Sequence, residues 1–224
     1  MRIAIGGLLL AAIALAQIQV QPPRAPALNM QEIAQALGVT CEFCHSAERG
    51  SNQPEPKKDI ARQMIDMTRD LNARVQSASG KPAAEATRVQ CVTCHRGVAI
   101  PGQLTDILLR TAEEKGGDAA VAQYRDLRAR YYGRQSYDFC EDTLILAAQQ
   151  RQARKPDDSI ALLKLNIEFS PRSARSYAAL GYAYTRKFDD ATAITYLEKA
   201  LEIEPDNGTI QGQLIQLKSY QRRK

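Results

Sequence analysis

The chain has 224 residues, about a quarter of them charged, with 30 lysines and arginines against 25 aspartates and glutamates. Removal of a leader containing Arg2 would leave 29 basic and 25 acidic side chains, a small net charge of +4. Because no stripe of arginines with interleaved aromatic residues accompanies this excess, the composition does not indicate a nucleic-acid-binding protein.

The N-terminus has the pattern of an export signal. Arg2 precedes an apolar stretch at 3–16 that ends in the small-x-small sequence ALA, and this length suits a signal peptide better than a membrane span. We therefore expect a cleaved signal peptide over 1–16. An uncleaved anchor is the alternative, because Ile18 and Val20 extend the apolar run. Both predict a protein working in the periplasm and leave peripheral membrane association open.

A short helix is expected after the leader. Residues 17–26 contain the proline-rich QPPRAP, which predicts a linker. Asn29 then offers an N-cap, and Glu32 three residues later completes a capping box. Gly38 is placed to end this helix at 27–38, directly before the first cysteine motif.

Both histidines of the chain directly follow a Cys-x-x-Cys pair, in the two sets Cys41, Cys44, His45 and Cys91, Cys94, His95. In one helical turn the three side chains of each set point to one side. That arrangement suits c-type haem, in which two thiols form thioethers with the porphyrin vinyl groups and the imidazole binds the iron from the proximal face. The sequence therefore predicts two covalently bound c-type haems.

Other uses of these cysteines fit the spacing less well. A thioredoxin-like redox pair would follow a strand, and no β-rich run precedes either motif. Structural zinc held by two Cys-x-x-Cys pairs usually has them about 15–20 residues apart, whereas the first cysteines here are 50 residues apart. Disulfides would not explain a histidine after each pair.

A second helix is predicted between the two motifs, over 60–75. Its apolar positions recur at helical spacing: Ile60, Met64, Met67 and Leu71. Loops at 46–58 and 76–82 flank it, and Pro101 and Gly102 end a haem-binding unit over 27–103.

The second axial ligands must come from other side chains, because both histidines are used on the proximal side. Methionine is the next common ligand, and it raises the haem potential. Beyond Met1 the chain has three methionines, all in the haem-binding unit: Met30, Met64 and Met67. Methionine at helical spacing often only fills a core, and spacing alone does not rank Met64 against Met67.

Residues 174–207 resemble a tetratricopeptide repeat of 34 residues. Tyr177 stands where that family prefers Trp, and Leu197 replaces its usual Phe. The other marked positions match: Leu180, Gly181, Tyr184, Ala193, Ala200 and Pro205. Residues 140–173 match more loosely. The resemblance implies a concave groove that binds a peptide or protein partner, with Tyr177 and Tyr184 as candidate contacts.

Two repeats are fewer than the three or so usually needed to bury a continuous core. We therefore expect a helix at 118–132, within a connector over 104–139, and the tail 208–221 to cover the open ends of a repeat domain at 140–224. No stretch alternates with period two, so the predicted fold class is all-α. The unpaired Cys140 is expected to be a small buried residue, with a reactive thiol as the alternative.

Three segments carry a resemblance to the cytochrome subunit of photosynthetic reaction centres and its shorter relatives: MQEIAQALGVTCEFCH, ARQMIDMTRDLN and CVTCHRG. In that family a helix bearing the axial methionine precedes each Cys-x-x-Cys-His motif. The resemblance implies Met30 as the ligand of the iron held by His45. It also implies Met64, with Met67 as the alternative, for the iron held by His95.

The chain also departs from this family. The photosynthetic subunit has four haems, often a lipid-anchored N-terminal cysteine, and a distal histidine after the second helix; here there are two motifs, no such cysteine, and the histidine-free sequence NARVQSASG. The resemblance thus implies a dihaem electron-transfer core and not photosynthesis.

The expected function is relay of single electrons between redox proteins by an exported dihaem cytochrome c, with the repeats docking a partner and no enzymatic activity. A haem enzyme or gas-binding protein with one open iron is an alternative, although no spare histidine is left to serve as an acid or base. A repeat scaffold with purely structural haems is another.

Overall fold

The computed structural model describes residues 29–45 and 54–223, and the regular structure in these two ranges is entirely helical. The predicted all-α fold is therefore confirmed. The predicted signal peptide (1–16) and linker (17–26) lie outside the described residues, as does 46–53 of the predicted loop 46–58. None of the described helices combines the length and the apolarity that crossing a bilayer demands.

The described residues of the predicted haem-binding unit, called the haem-binding half below, form three α-helices and a 3₁₀ turn, namely α1 (Met30–Leu37), the 3₁₀ turn Cys41–Phe43, α2 (Pro56–Ser79) and α3 (Cys91–His95). The capping of α1 follows the sequence prediction. The Asn29 side chain accepts hydrogen bonds from the backbone N–H groups of Gln31 and Glu32, at 3.0 and 3.5 Å. Gly38 ends the helix in a left-handed conformation, with φ at 66°.

Helix α2 is longer than the predicted 60–75. Pro56 lies in its first turn, where the fixed φ of proline favours helix entry and its missing N–H is no loss. At the other end the helix continues to Ser79, because the first residue that adopts a left-handed cap is Gly80, with φ at 63°. None of the 24 residues of α2 is buried.

The described residues 104–223, called the helical half below, form seven helices, namely α4 (Leu104–Lys115), α5 (Gly117–Tyr131), α6 (Glu141–Gln152), α7 (Pro156–Phe169), α8 (Ala174–Arg186), α9 (Asp190–Ile203) and α10 (Gly208–Gln221). Helices α4 to α8 share one hydrophobic core, which includes Leu108, Tyr124, Leu144, Leu163 and Leu180. The segment predicted as a connector thus consists of two helices that pack into the core of the repeats.

The predicted repeat at 174–207 folds as the antiparallel pair α8 and α9. The two helices approach closely at Gly181, where an added Cβ would lie 2.7 Å from Leu197 Cγ. Helix α10 covers the open side of α9 through Ile210 and Leu217, as the sequence predicts for the tail.

The expectation for Cys140 is wrong. This cysteine is exposed and precedes α6 as its N-cap residue. The neighbouring aromatic side chains Tyr137 and Phe139 pack into the core instead. The apolar neighbours in sequence therefore did not predict burial of the thiol, because the chain turns at this position to begin α6.

Candidate haem sites

The first Cys-x-x-Cys-His motif closes one helical turn. The backbone N–H groups of Cys44 and His45 both donate to the carbonyl of Cys41, at 3.3 and 3.0 Å. Cys41, Cys44 and His45 line a concavity of about 190 Å³ together with Met30 of α1 and Ile65 of α2. The structure thus brings Met30 to the motif that it was predicted to serve.

The second motif is the short helix α3. The backbone N–H of Gln90 donates to the hydroxyl of Thr93 at 3.0 Å, which fixes the start of the helix. His95 Nδ1 lies 3.0 Å from the carbonyl oxygen of Val98. In the tautomer that donates this bond, Nε2 is left as the nitrogen available to a metal.

A second concavity, of about 750 Å³, lies beside Cys91 between α1, α2 and the segment 88–92. Ile33 of α1 and Ile65 of α2 line both this concavity and the one at the first motif. The two concavities therefore share part of their wall, which α1 and α2 form.

Helix α1 is held directly against the second motif. The backbone N–H of Gly97 donates to the carbonyl of Ala36 at 2.8 Å. Gly38 packs so closely on Gly97 that an added Cβ would lie 2.8 Å from the Gly97 carbonyl carbon and closer still to its oxygen. The lack of a side chain at Gly38 is thus required by packing as well as by its positive φ.

Asn72 fixes the approach to the second motif, a role that the sequence analysis missed. Its Nδ2 donates to the Val89 carbonyl and its Oδ1 accepts from the Val89 N–H, both at 2.8 Å. This pair joins α2 to the chain two residues before Cys91. The available signal was an asparagine inside a long helix, where its low helix propensity favours a specific role.

The structure does not bring Met64 or Met67 into either concavity. Both lie with Ile60 and Leu71 on an exposed stripe of α2, where Met64 is 42% and Met67 47% exposed. The concavities are instead lined by Ile65 and its neighbours on that face of the helix. Since successive residues are about 100° apart on a helix, the centre of the stripe lies more than a third of a turn from Ile65.

The donor set and its surroundings fit a covalently attached haem. All five cysteines are free thiols, as thioether formation requires. Cationic side chains stand at both concavities, with Lys58 and Arg62 at the first and Arg69 and Arg88 at the second, where haem carboxylates would be stabilised. The described residues contain no group of three or more His, Cys, Asp or Glu side chains close enough to hold a metal ion by themselves.

The candidate partner contacts Tyr177 and Tyr184 belong to the packing of the repeat. Both stack on Tyr196 of α9, with ring centroids 6.4 and 5.4 Å apart, and both are partly buried. Burial raises the pKa of the Tyr196 phenol. In the same repeat Tyr182 is the more exposed tyrosine, at 44%.

A helical protein with two such turns, each with two cysteines and one histidine, is a c-type cytochrome, which binds haem covalently. Residues 30–154 match the model of the photosynthetic reaction centre cytochrome C subunit family. This match covers more than half of the chain, so the chain belongs to that family. The match extends past the predicted unit 27–103 and includes α4, α5 and α6.

Residues 174–207 match the model of a tetratricopeptide repeat, which confirms the repeat predicted at these positions. Among curated proteins, the chain is 37% identical over 65 residues to cytochrome c-554 of Chloroflexus aurantiacus, covering 29% of this chain and 15% of that protein. It is also 37% identical over 82 residues to the photosynthetic reaction center cytochrome c subunit of Thermochromatium tepidum, covering 32% of this chain and 20% of that protein. The matched segments thus span a fifth or less of these relatives.

Proposed function

We propose that this protein is an exported dihaem cytochrome c that relays single electrons between two redox proteins and catalyses no bond formation. The carrying observation is the pair of Cys-x-x-Cys-His turns. Cys41, Cys44 and His45 line one concavity, Cys91 of the second turn lines another, and Ile33 and Ile65 line both. When bound, each haem supplies a one-electron iron couple. The shared wall of α1 and α2 favours transfer between the two sites.

The proximal side of each site is formed by the motifs themselves. Cys41 and Cys44 anchor one haem and Cys91 and Cys94 the other, so neither group can dissociate between turnovers. His45 and His95 are the proximal iron ligands. For His95, the bond from Nδ1 to the Val98 carbonyl, 3.0 Å long, fixes the ring orientation and raises the basicity of Nε2.

Met30 is the proposed distal ligand of the iron held by His45. Its support is structural, because Met30 lines the same concavity as Cys41, Cys44 and His45. A thioether favours ferrous iron and so raises the potential of that site.

Met64 is the proposed distal ligand of the iron held by His95, with Met67 as the alternative. This assignment rests on the family pattern. A second observation agrees with it: the stripe formed by Ile60, Met64, Met67 and Leu71 is exposed along one face of α2, as expected of a surface that a flat apolar group would cover.

A second candidate function is that of a haem protein with one open iron, which could bind a small gas. The observation that favours it is that Met64 and Met67 line neither concavity. Carbon monoxide distinguishes the two candidates, since it binds ferrous iron rapidly only where the distal position is free.

The test is a set of optical spectra of the ferrous and ferric holoprotein, with and without carbon monoxide. Wild-type protein should not bind the gas rapidly. Met30→Ala and Met64→Ala should each remove about half of the weak far-red sulfur-to-iron band and open one iron, whereas Met67→Ala should do neither. Rapid binding to half of the wild-type haem would favour the open-iron candidate, and loss of the band in Met67→Ala alone would reverse the methionine assignment.

The remaining parts of the proposal concern location and partners. Export rests on the signal-peptide pattern at 1–16, and peripheral membrane association is compatible with it. We divide the chain into a haem-binding unit at 27–103, helices α4 and α5 within 104–139, and repeats with a capping helix at 140–224. The repeat match supports protein docking on that last part. We expect the full holoprotein to capture a redox partner. This capture should be lost in Tyr182→Ala and kept in Tyr196→Phe.

A further inference from the structure

The backbone immediately after His95 forms a tight turn with an unusual conformation. Arg96 adopts left-handed dihedral angles, with φ at 47° and ψ at 42°, a region that residues with a side chain other than Asn, Asp or His seldom occupy. Gly97 follows with φ at 83°. This turn is what carries the Val98 carbonyl back to His95 Nδ1.

Two contacts from the helical half hold this turn. The hydroxyl of Ser136 donates to the Arg96 carbonyl at 2.6 Å. In the opposite direction, Arg96 Nη1 donates to the Gln135 carbonyl at 3.3 Å. Gln135 is itself left-handed, with φ at 59°, so two strained backbone positions face each other and are bonded reciprocally.

The loop that supplies these contacts is anchored in the core. It joins α5 to α6, and Tyr137 of this loop packs edge-on against Tyr131, with ring centroids 5.3 Å apart. Tyr137 also meets Phe139, with centroids 6.2 Å apart. Both Tyr137 and Phe139 pack against the same core cluster as Tyr124. The aromatic residues next to Ser136 therefore tie this loop to the core of the helical half, while Ser136 itself bonds Arg96.

We propose that Ser136 is a positioning residue for the second haem site. With the Gln135 carbonyl it holds Arg96 in its left-handed conformation, which keeps the Val98 carbonyl on His95 Nδ1 and sets the basicity and orientation of the imidazole. The hydrogen bond on the far nitrogen of a ligating histidine tunes the metal it binds. This inference rests on the proposed haem at His95, and it makes the helical half a determinant of one haem and not of the other.

The test compares three variants of the full holoprotein. Ser136→Ala removes the hydroxyl and Ser136→Thr retains it. Ser219→Ala is the matched control, because the Ser219 hydroxyl also donates to a backbone carbonyl, that of Gln216, at 2.8 Å in α10. The measurements are haem content by intact mass, both midpoint potentials by spectroelectrochemical titration, and exchange of the His95 Nδ1–H by NMR in the reduced protein.

A weaker bond at Nδ1 lowers the basicity of the imidazole, so ferrous iron is favoured. In Ser136→Ala we expect one couple to rise, with the reduced-to-oxidised ratio at a fixed poise about threefold higher, equivalent to about 28 mV at 59 mV per tenfold. The Nδ1–H of His95 should exchange at least tenfold faster. The other couple should stay unchanged, and Ser136→Thr and Ser219→Ala should match wild type.

Other outcomes distinguish a failure of the positioning role of Ser136 from a failure of the proposed function. If two haems are bound and two couples titrate, but Ser136→Ala moves neither or moves both equally, the positioning role is wrong and the proposed function stands. Failure of Ser136→Thr to restore the wild-type potential would also overturn the role. If no haem is attached at Cys91 and Cys94 in wild type, both the inference and the dihaem proposal fail.

Discussion

The contact between α1 and the second motif can be tested by adding one methyl group, with Gly38→Ala. Gly38 has φ at 66°, and an added Cβ would lie 2.8 Å from the carbonyl carbon of Gly97. Ordinary van der Waals contacts at such a position are about 3.4–4 Å, so the two backbones would have to separate by more than half an ångström. That separation would strain or break the 2.8 Å hydrogen bond from the Gly97 N–H to the Ala36 carbonyl.

Gly80→Ala is the matched control. Gly80 also ends a helix with a left-handed conformation, with φ at 63°, but an added Cβ there would meet nothing within 4 Å. The left-handed backbone alone should cost about 1–2 kcal/mol in each variant. In Gly38→Ala the lost hydrogen bond adds about 0.5–1.5 kcal/mol and the forced overlap about 1–3 kcal/mol, so this variant should be destabilised by at least about 1.5 kcal/mol more than the control.

The assay is guanidinium unfolding of the holoproteins followed by haem absorbance, which reports on the haem-binding half. A lower midpoint at unchanged slope would give the difference in the free energy of unfolding directly. Equal losses for Gly38→Ala and Gly80→Ala would refute the reasoning, because α1 would then not be docked on the second motif.

Three further predictions concern other contacts. Gly181→Ala would place a Cβ 2.7 Å from a leucine Cγ of α9 and should lower stability by about 1–3 kcal/mol. Gly212→Ala in α10, where an added Cβ meets nothing within 4 Å, should raise stability by up to about 1 kcal/mol. A Gly181→Ala protein that melts at a higher temperature than Gly212→Ala would contradict the repeat packing. Asn72→Ala should cost about 1–3 kcal/mol and reduce haem attachment at the second motif only, and full attachment by intact mass would argue against that clamp. Burial raises the pKa of the Tyr124 phenol above its usual value near 10, so the neutral form stabilises the fold at lower pH and this contribution is lost as the pH rises through the folded-state pKa. Tyr124→Phe should reduce this loss of stability at alkaline pH, and an unchanged pH dependence of stability would contradict the prediction.

Local features of the chain were predictable from the sequence. The cap at Asn29, the end of α1 at Gly38 and the closed turn at Cys41 each depend on residues within about four positions of one another. Helix α10 and the repeat pair were predictable because their apolar spacing and marked positions recur at fixed intervals. These features place the first motif beside Met30 with little further information.

Contacts between distant parts of the chain were not predictable. Asn72 binds Val89, 17 residues away, and Ser136 binds Arg96, 40 residues away, and neither pairing leaves a periodic pattern in the sequence. The apolar stripe of α2 was visible as a spacing of Met64 and Met67 with their neighbours. Spacing gives the angle between side chains on one helix, but not which face another segment approaches.

The predicted helix boundaries were wrong where a single residue determines the end of a helix. Pro56 allows α2 to begin earlier than its apolar pattern, and Gly80 lets it continue until a left-handed cap is available. In the helical half, Leu104 and Leu108 join the common core, although only 118–132 of the connector was expected to cover an end of the repeats. The helix propensity of a segment does not show how much apolar surface of the neighbouring helices it must bury.

Both Cys-x-x-Cys-His turns are proposed to carry a covalently bound haem. The most direct test is the intact mass of the denatured protein after export and expression with a haem-maturation system, because thioether-linked haem survives denaturation and a coordinated metal does not. We expect a mass above that of the processed polypeptide by two haems. A single haem, or an unmodified polypeptide that binds zinc when native, would contradict it.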